Sequence, residues 1–409
     1  MPFRLFTGRA FLICVLHSAF CNCPFLFFSL RQLNQAEPMH IQPFQAVYPD
    51  MGLITSPDHF FSTVKEKFND YWESGFYHRL PHEGMYIHRI SGAGRTFIGL
   101  IACMDVNDYM RGEVKKHENT LAASEQKQIH LLLKRSSQVK PIMLTYPNVA
   151  EIDKILAAYI KNNDHFLEAT FEGTGELHRF WEICDGATVQ RLQKIFSEKV
   201  PATYIADGHH RTSSTVTMYE RHGAENAGNV FRWLPCALYP TSEVEIFDFN
   251  RIIQGLNNFS PASFMAKLSK LFEIDVLEEM QKPAKKHELT LFLEQEWYRL
   301  AWRPEILEEY KKQPVVLDVS LLNEKVMGDI LHIKDVRTDA RVKYHQGTKP
   351  LSDLRNKTLK GEGRFAFCLF PVTLKDFLAI SDAGGTLPPK STWFEPRIRS
   401  GLLVRRFQI

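Results

Sequence analysis

A chain of 409 residues, 44% apolar and 24% charged, has the composition of a soluble globular protein and the length for one large domain or two ordinary ones. Its 50 Lys and Arg stand against 47 Asp and Glu, and Arg4, Arg9 and Arg31 against Glu37 place two of the three surplus charges in residues 1–38. A body this close to neutral argues against a protein that holds nucleic acid through bulk charge.

Residues 10–30 carry no formal charge, follow Arg4 and Arg9, and are rich in Phe, Leu and Cys, like the hydrophobic region of a signal peptide or a poor membrane anchor. Against this, His17, Ser18, Asn22 and Pro24 interrupt the run, no small-x-small cleavage site follows, and Met39 stands directly before strand-like sequence. Residues 1–38 are read as an upstream extension whose removal costs the fold nothing, with export as the alternative. Strands are expected over 84–90 and 96–103, joined as a hairpin through Ser91-Gly92-Ala93-Gly94-Arg95, and over 141–146, 177–184 and 204–206. Helices are expected over 57–74, with Ser56 as N-cap and Pro57 in the first position, over 124–135, and over 187–199, where Val189, Leu192, Ile195 and Phe196 form one stripe. Further on, 233–240 and 244–249 read as paired strands, 262–272 as a helix, 288–302 as a hairpin, 317–331 as a helix and 364–371 as a buried strand. Strands alternating with helices, without repeats, predict an α/β fold, with α+β as the alternative.

Seven cysteines include no C-x-x-C pair, and three of them fall within residues 1–38. Cys103, Cys184, Cys236 and Cys368 lie in apolar runs and are expected as buried, reduced thiols, which fits a cytoplasmic protein.

The densest chemistry is Asp207-Gly208-His209-His210-Arg211-Thr212, between the apolar run 202–206 and a helix-prone stretch at 213–221. Strand, Gly turn and helix in that order aim backbone N–H groups and a helix N-terminus at one point, where an anion is stabilised. Gly208 permits the tight turn, His209 and His210 donate hydrogen bonds or shuttle protons, and Arg211 clamps phosphoryl oxygens. The bland alternative is an N-capping Asp followed by surface histidines. Adjacent histidines on a helix point apart, so these two are not expected to share a metal.

A second cluster, Lys115-Lys116-His117-Glu118-Asn119-Thr120, offers Glu118 as a general base, His117 as its partner and either lysine as a counter-charge for phosphate. Leu121 stands where a zinc-protease motif needs a second histidine, and neither a Walker-type phosphate loop nor a G-x-S-x-G elbow is present. Toward the C-terminus, Pro388-Pro389-Lys390-Ser391-Thr392-Trp393-Phe394-Glu395-Pro396 is rigid in composition and offers an ammonium and two hydroxyls. It reads either as a well-packed loop or as a binding loop.

With Ile41-Gln42-Pro43-Phe44, His117-Glu118-Asn119-Thr120, 204–211, 388–396 and Ser400-Gly401-Leu402, the chain closely resembles the bacterial domain-of-unknown-function 1015 family over 40–404. Such proteins begin near the Ile-x-Pro-Phe segment, which supports Met39 as the start and 39–409 as one large region carrying the turn at 204–212. The turn itself is similar to the phosphate-binding motif of the ParB and sulfiredoxin superfamily, which includes free-serine kinases. The resemblance implies a mixed sheet with a nucleotide-binding core of that kind and an additional α+β C-terminal part. It further implies a cytosolic phosphotransferase moving a phosphoryl group from ATP or ADP to a small hydroxyl compound, free L-serine first, with Mg²⁺. Asp207 would then hold the metal or orient substrate, His210 would contact phosphate or move a proton, and Glu118 would accept the hydroxyl proton. Gly208, His209, Arg211, Thr212, His117, Lys390 and Ser391 would bind the cofactor. A nucleotide-binding, ParB-like DNA-associated protein and a non-catalytic binding protein are the rivals. Neither nucleic acid nor a stable membrane association is expected, and the oligomeric state is not legible.

Overall fold

Along Arg95–Asp105, Leu100, Ala102 and Met104 are buried on one side and Ile101 and Cys103 on the other, so this strand needs cover on both faces. The computed structural model, which describes residues 39–408 except 225, 227 and 362, supplies that cover with a nine-stranded mixed sheet between two apolar layers. The expected extension over 1–38 lies outside the described residues.

From one edge, the sheet runs Val114–Lys115, Thr203–Asp207, Ile142–Tyr146, Trp233–Pro240, Arg95–Asp105, Met85–Gly92, Glu176–Ile183 and Leu167–Phe171, with Ile41–Gln42 beside the end of Arg95–Asp105. Trp233–Pro240 runs parallel to Ile142–Tyr146, and Thr203–Asp207 parallel to Val114–Lys115; the other pairs are antiparallel. The expected hairpin forms with Gly92 opposite Arg95, leaving Ala93 and Gly94 at φ 50° and 76°, the pair of positive values that a tight two-residue turn requires. One face is covered by helices including Gly186–Lys199, whose start is fixed by the Asp185 carboxylate accepting the Thr188 N–H at 2.8 Å. All four residues of its predicted stripe are buried, worth about 6 to 12 kcal/mol as an upper figure at 1.5–3 kcal/mol each. The opposite face takes Phe60, Phe61, Val64 and Phe68 of the helix Pro57–Glu73 into an apolar cluster that continues into the C-terminal part.

That part is a six-stranded antiparallel sheet in the order Phe272–Leu277, Glu296–Trp302, Glu288–Leu293, Arg364–Leu369, Phe249–Gln254, Val342–Gln346. The chain then returns to the first part. Trp393–Glu395 pairs with Glu245–Phe247, and Val404–Arg406 enters a four-stranded sheet between Ala46–Pro49 and Ser137–Gln138. The fold is therefore mixed α/β with a mixed central sheet. Among the described residues, no helix is long and apolar enough to cross a membrane.

Four expectations need correction. Residues 233–240 and 244–249 do not pair with each other: Trp233–Pro240 lies in the middle of the nine-stranded sheet, and Glu245–Phe247 pairs with the tail. Apolar patterning marks a strand but carries no information about its partner. The helix expected over 262–272 ends at Leu268: Phe264, Leu268 and Phe272 are all buried and keep a helical four-residue spacing, but Phe272 is buried as the first residue of an edge strand. The stretch 317–331 is a short α-helix, Asp318–Leu321, followed by π-helical Leu322–Gly328. Cys184 is exposed, since it falls one residue past the strand Glu176–Ile183, whereas Cys103, Cys236 and Cys368 are buried free thiols.

Candidate functional site

The strand Thr203–Asp207 and the helix His209–Arg221 are joined by Gly208 alone. A bulge just before the turn sets Ile205 opposite Leu144 but Asp207 opposite Met143, which re-aims Asp207 relative to a regular strand. Gly208 sits at φ 118°, where a Cβ would come within 2.8 Å of both Ile142 Cγ2 and Arg211 Nη2, so only glycine fits. No side chain caps this helix, and its first-turn N–H groups and the positive end of its dipole are left for another acceptor. His209, His210 and Arg211 are thus the first helical turn itself.

The turn opens into a cavity of about 870 Å³. Lys65, Lys140, Lys349, Lys390, Arg211, Arg397 and Arg399 line it against Glu118, Glu176, Asp207 and Glu395, a surplus of three positive charges in one concavity of a nearly neutral protein. Asp207 organises the inner group. Its Oδ2 accepts from Lys140 Nζ and Arg211 Nη2, both at 2.9 Å, and its Oδ1 lies 3.4 Å from Arg397 Nη1. Burial alone would raise the Asp207 carboxyl, but Lys140, Arg211 and Arg397 outweigh it and hold it well below the usual carboxylate range. Burial also pulls the Lys140 ammonium down to about 8, with Asp207 offsetting only part of the effect.

Asp207 was expected as a Mg²⁺ ligand, and its surroundings do not fit that role. Both oxygens face cations that a divalent ion would have to displace and then neighbour, and among the described residues no group of three or more His, Cys, Asp or Glu is placed to hold a metal.

The second cluster joins the first in space. His117 and His209 meet edge-on with ring centroids 4.4 Å apart, and Glu118 Oε2 lies 3.6 Å from His209 Nδ1. Burial holds His117 well below its ordinary value, and brings His209 down to about 4, so both rings are neutral at pH 7. Glu118 remains nearly half exposed to the cavity. Lys115 is not a phosphate counter-charge: its Nζ bonds to Asp382 at 2.5 Å, outside the cavity. The tail completes the wall. Leu387 N–H donates to the His117 carbonyl at 2.8 Å, and most residues of 387–400 line the cavity, so this well-packed segment is also part of the cavity wall. Lys390 is exposed there, while the Ser391 hydroxyl is spent on the Pro388 carbonyl.

Thr212 is a correction. It is fully buried, its hydroxyl bonds back to the Gly208 carbonyl, and it does not line the cavity. Conversely, Lys140, Arg397, Arg399 and Glu176 were not legible as site residues. Lys140 precedes an unremarkable strand, and the two arginines sit between quoted parts of the tail motif, where their alternation was the one available signal. Arg211 Nε, Arg397 Nε, His117 Nδ1, His209 Nε2 and His210 Nδ1 are buried without a hydrogen-bond partner, a deficit of the kind that a bound polar ligand or water makes good.

Residues 45–320 match the family described as "Protein of unknown function (DUF1015)", and the chain belongs to that family. No curated protein matches it. Among solved structures, it is similar to a free serine kinase in complex with AMP at 14% identity and TM-score 0.37, over 74% of this chain and 91% of that one. It is also similar to SbnI with a C-terminal truncation from Staphylococcus aureus (12% identity, TM-score 0.38, 74% and 85% covered) and to a conserved hypothetical protein from Pyrococcus furiosus (14% identity, TM-score 0.36, 73% and 93% covered).

Proposed function

We propose that this DUF1015 protein is a phosphotransferase that binds ATP or ADP with its phosphates at the Gly208–Arg211 turn and passes one phosphoryl group to a small hydroxyl compound, free L-serine being the first candidate. One observation carries the reading: an uncapped helix N-terminus and a cluster of cations meet at one end of a cavity large enough for a nucleotide. Phosphoryl transfer asks chiefly for positioning and charge stabilisation, which backbone amides and guanidinium groups provide.

In this reading, the N–H groups of His209, His210 and Arg211 cradle phosphate oxygens, and Arg211, Arg397 and Lys140 neutralise them. Asp207 is a positioning residue, since it fixes those three cations rather than touching the ligand. The acceptor approaches from an adjoining cavity of about 540 Å³ that shares Glu118, His210 and Lys390 with the first. Its hydroxyl oxygen bonds to the terminal phosphorus, the bond from that phosphorus to the bridging oxygen breaks, and the proton passes to Glu118. His210 and Lys390 steady the charge on the transferring group.

The full chain, titrated with ADP by calorimetry and then incubated with ATP or ADP and a panel of L-serine and polyols, tests this. The expected result is saturable ADP binding, a phosphorylated acceptor, and loss of both in Arg211→Gln. An absence of ADP binding and of phosphorylated product across the panel would overturn the proposal.

A further inference from the structure

Two of the four carboxylates that line the cavity stand in contrasting company. Asp207 has both oxygens turned to cations. Glu176, at the start of Glu176–Ile183, has all of its protein partners on one oxygen. Glu176 Oε2 accepts from Thr174 Oγ1 at 3.0 Å and from Arg399 Nε at 3.0 Å, with Arg399 Nη2 also bound, and His178 Nε2 stands 3.6 Å away. Oε1 has no hydrogen bond from the described residues, and Glu176 is about one-fifth exposed on the cavity wall.

Behind Glu176 runs a buried chain that the phosphoryl chemistry does not use. His178 Nδ1 is 3.0 Å from His88 Nε2, and His88 Nδ1 is 3.0 Å from the Tyr239 hydroxyl. His88, His178 and Tyr239 are all essentially without solvent exposure, and Gly99 leaves room for the tyrosine ring, which a Cβ there would meet at 2.7 Å. Donors and acceptors along the chain have one consistent direction. Burial keeps both imidazoles neutral, so each carries a single N–H. His178 Nε2 makes no hydrogen bond, since Glu176 Oε2 is 3.6 Å away, but the negative carboxylate favours the tautomer that turns the N–H at Nε2 toward it. Its Nδ1 then accepts from His88 Nε2–H, and His88 Nδ1 accepts from Tyr239. The chain ends blind in the core at Tyr239, so it cannot deliver protons from solvent. What it can do is hold a ring and, through it, a carboxylate.

Arg397 and Arg399 link the two carboxylates. They are two residues apart in the tail, at most about 7 Å between Cα atoms, and one serves Asp207 while the other serves Glu176. A cation cluster and a carboxylate with one open oxygen on the wall of the same cavity suit a ligand that is anionic at one end and rich in N–H or O–H donors at the other. We infer that Glu176 is the recognition carboxylate for the nucleoside half of the bound nucleotide, its Oε1 accepting from ribose hydroxyl or base amino groups while Arg399 and the Tyr239–His88–His178 chain hold it in place. This rests on the nucleotide reading above and adds to it the residue that separates a nucleotide from a bare polyphosphate. Burial works to raise the Glu176 carboxyl, yet His178 and Arg399 bring it down to about 2, so it accepts hydrogen bonds without taking a proton at neutral pH.

The test compares ADP with pyrophosphate by calorimetry on the full chain, because the two share the phosphates and differ in the nucleoside. The wild type is expected to prefer ADP, and Glu176→Gln to weaken ADP about tenfold or more while leaving pyrophosphate within twofold. His178→Phe is expected to lower the ADP preference severalfold, and His178→Gln, which keeps a donor near the Nε2 position, to restore most of it. Any misfolded fraction lowers the stoichiometry rather than this ratio. An unchanged ADP-to-pyrophosphate ratio in Glu176→Gln would overturn the inference and leave the phosphate site standing. Absence of binding by either compound to the wild type would overturn both.

Discussion

Replacing Gly208 by Ala tests the turn with a single methyl group. At φ 118° an L-residue is strained by about 1–3 kcal/mol whatever the space around it. Space is also lacking, because the new Cβ would stand 2.8 Å from Ile142 Cγ2 and 3.0 Å from Ile142 Cβ. Ile142 is β-branched and fully buried in the central sheet, so it cannot step aside, and overpacking of this kind adds about 1–3 kcal/mol. The other close atom, Arg211 Nη2, can move, but only by giving up its 2.9 Å bond to Asp207. The expected loss of stability is thus about 2–6 kcal/mol, together with at least a tenfold loss in ADP affinity as Arg211 leaves its place. Gly94 provides the control: it also has positive φ, 76°, but a Cβ there meets nothing within 4 Å, so Gly94→Ala is expected to cost only the backbone part. Urea unfolding of both variants, with calorimetric titration of ADP, gives the comparison. If Gly208→Ala unfolds at the same urea concentration as Gly94→Ala and binds ADP like the wild type, the turn is not a tight phosphate cradle.

Lys140 gives the site a pH dependence at the alkaline end. Its ammonium is held at about 8 against the usual 10.5, so between these values the unfolded chain binds a proton that the folded chain does not. Its cost to folding is therefore full below about pH 8 and is relieved as pH rises toward 10.5, while ADP affinity falls through about pH 8 as the cavity loses a charge; Lys140→Met should remove that step from a titration series. Asp207 acts at the acid end as a stabilising group where Lys140 is a cost, and in both windows stability rises with pH. Because its carboxyl lies below the usual 3.8, its contribution is present above that pH and is lost as acid protonates it, so Asp207→Asn should be about 2 kcal/mol less stable at pH 7 and should lack that part of the acid unfolding, followed by circular dichroism. Since three cations occupy the Asp207 oxygens, millimolar Mg²⁺ without nucleotide should leave the melting temperature unchanged, and a rise abolished by Asp207→Asn would restore Asp207 as a metal ligand.

Local order was legible without coordinates wherever it depends on neighbours in the chain. The hairpin at 91–95, the stripe of Val189, Leu192, Ile195 and Phe196, and the strand, glycine and helix around Gly208 follow from side-chain periodicity and backbone sterics, which act over a few residues. Periodicity also misled where it was accidental, as with Phe264, Leu268 and Phe272. What the tertiary structure alone decided is company. Whether Asp207 meets a metal or three cations depends on Lys140, 67 residues earlier, and Arg397, 190 residues later. That His117 rests against His209, and that Glu176 is backed by His178 and His88, likewise depends on strand order and on the return of the tail. Charges act through space, over ångströms that the chain crosses only after folding, so the sequence by itself determined the strand–glycine–helix turn and the elements around it, whereas the charge, protonation and open oxygens of the site were settled by which distant segments the sheets bring together.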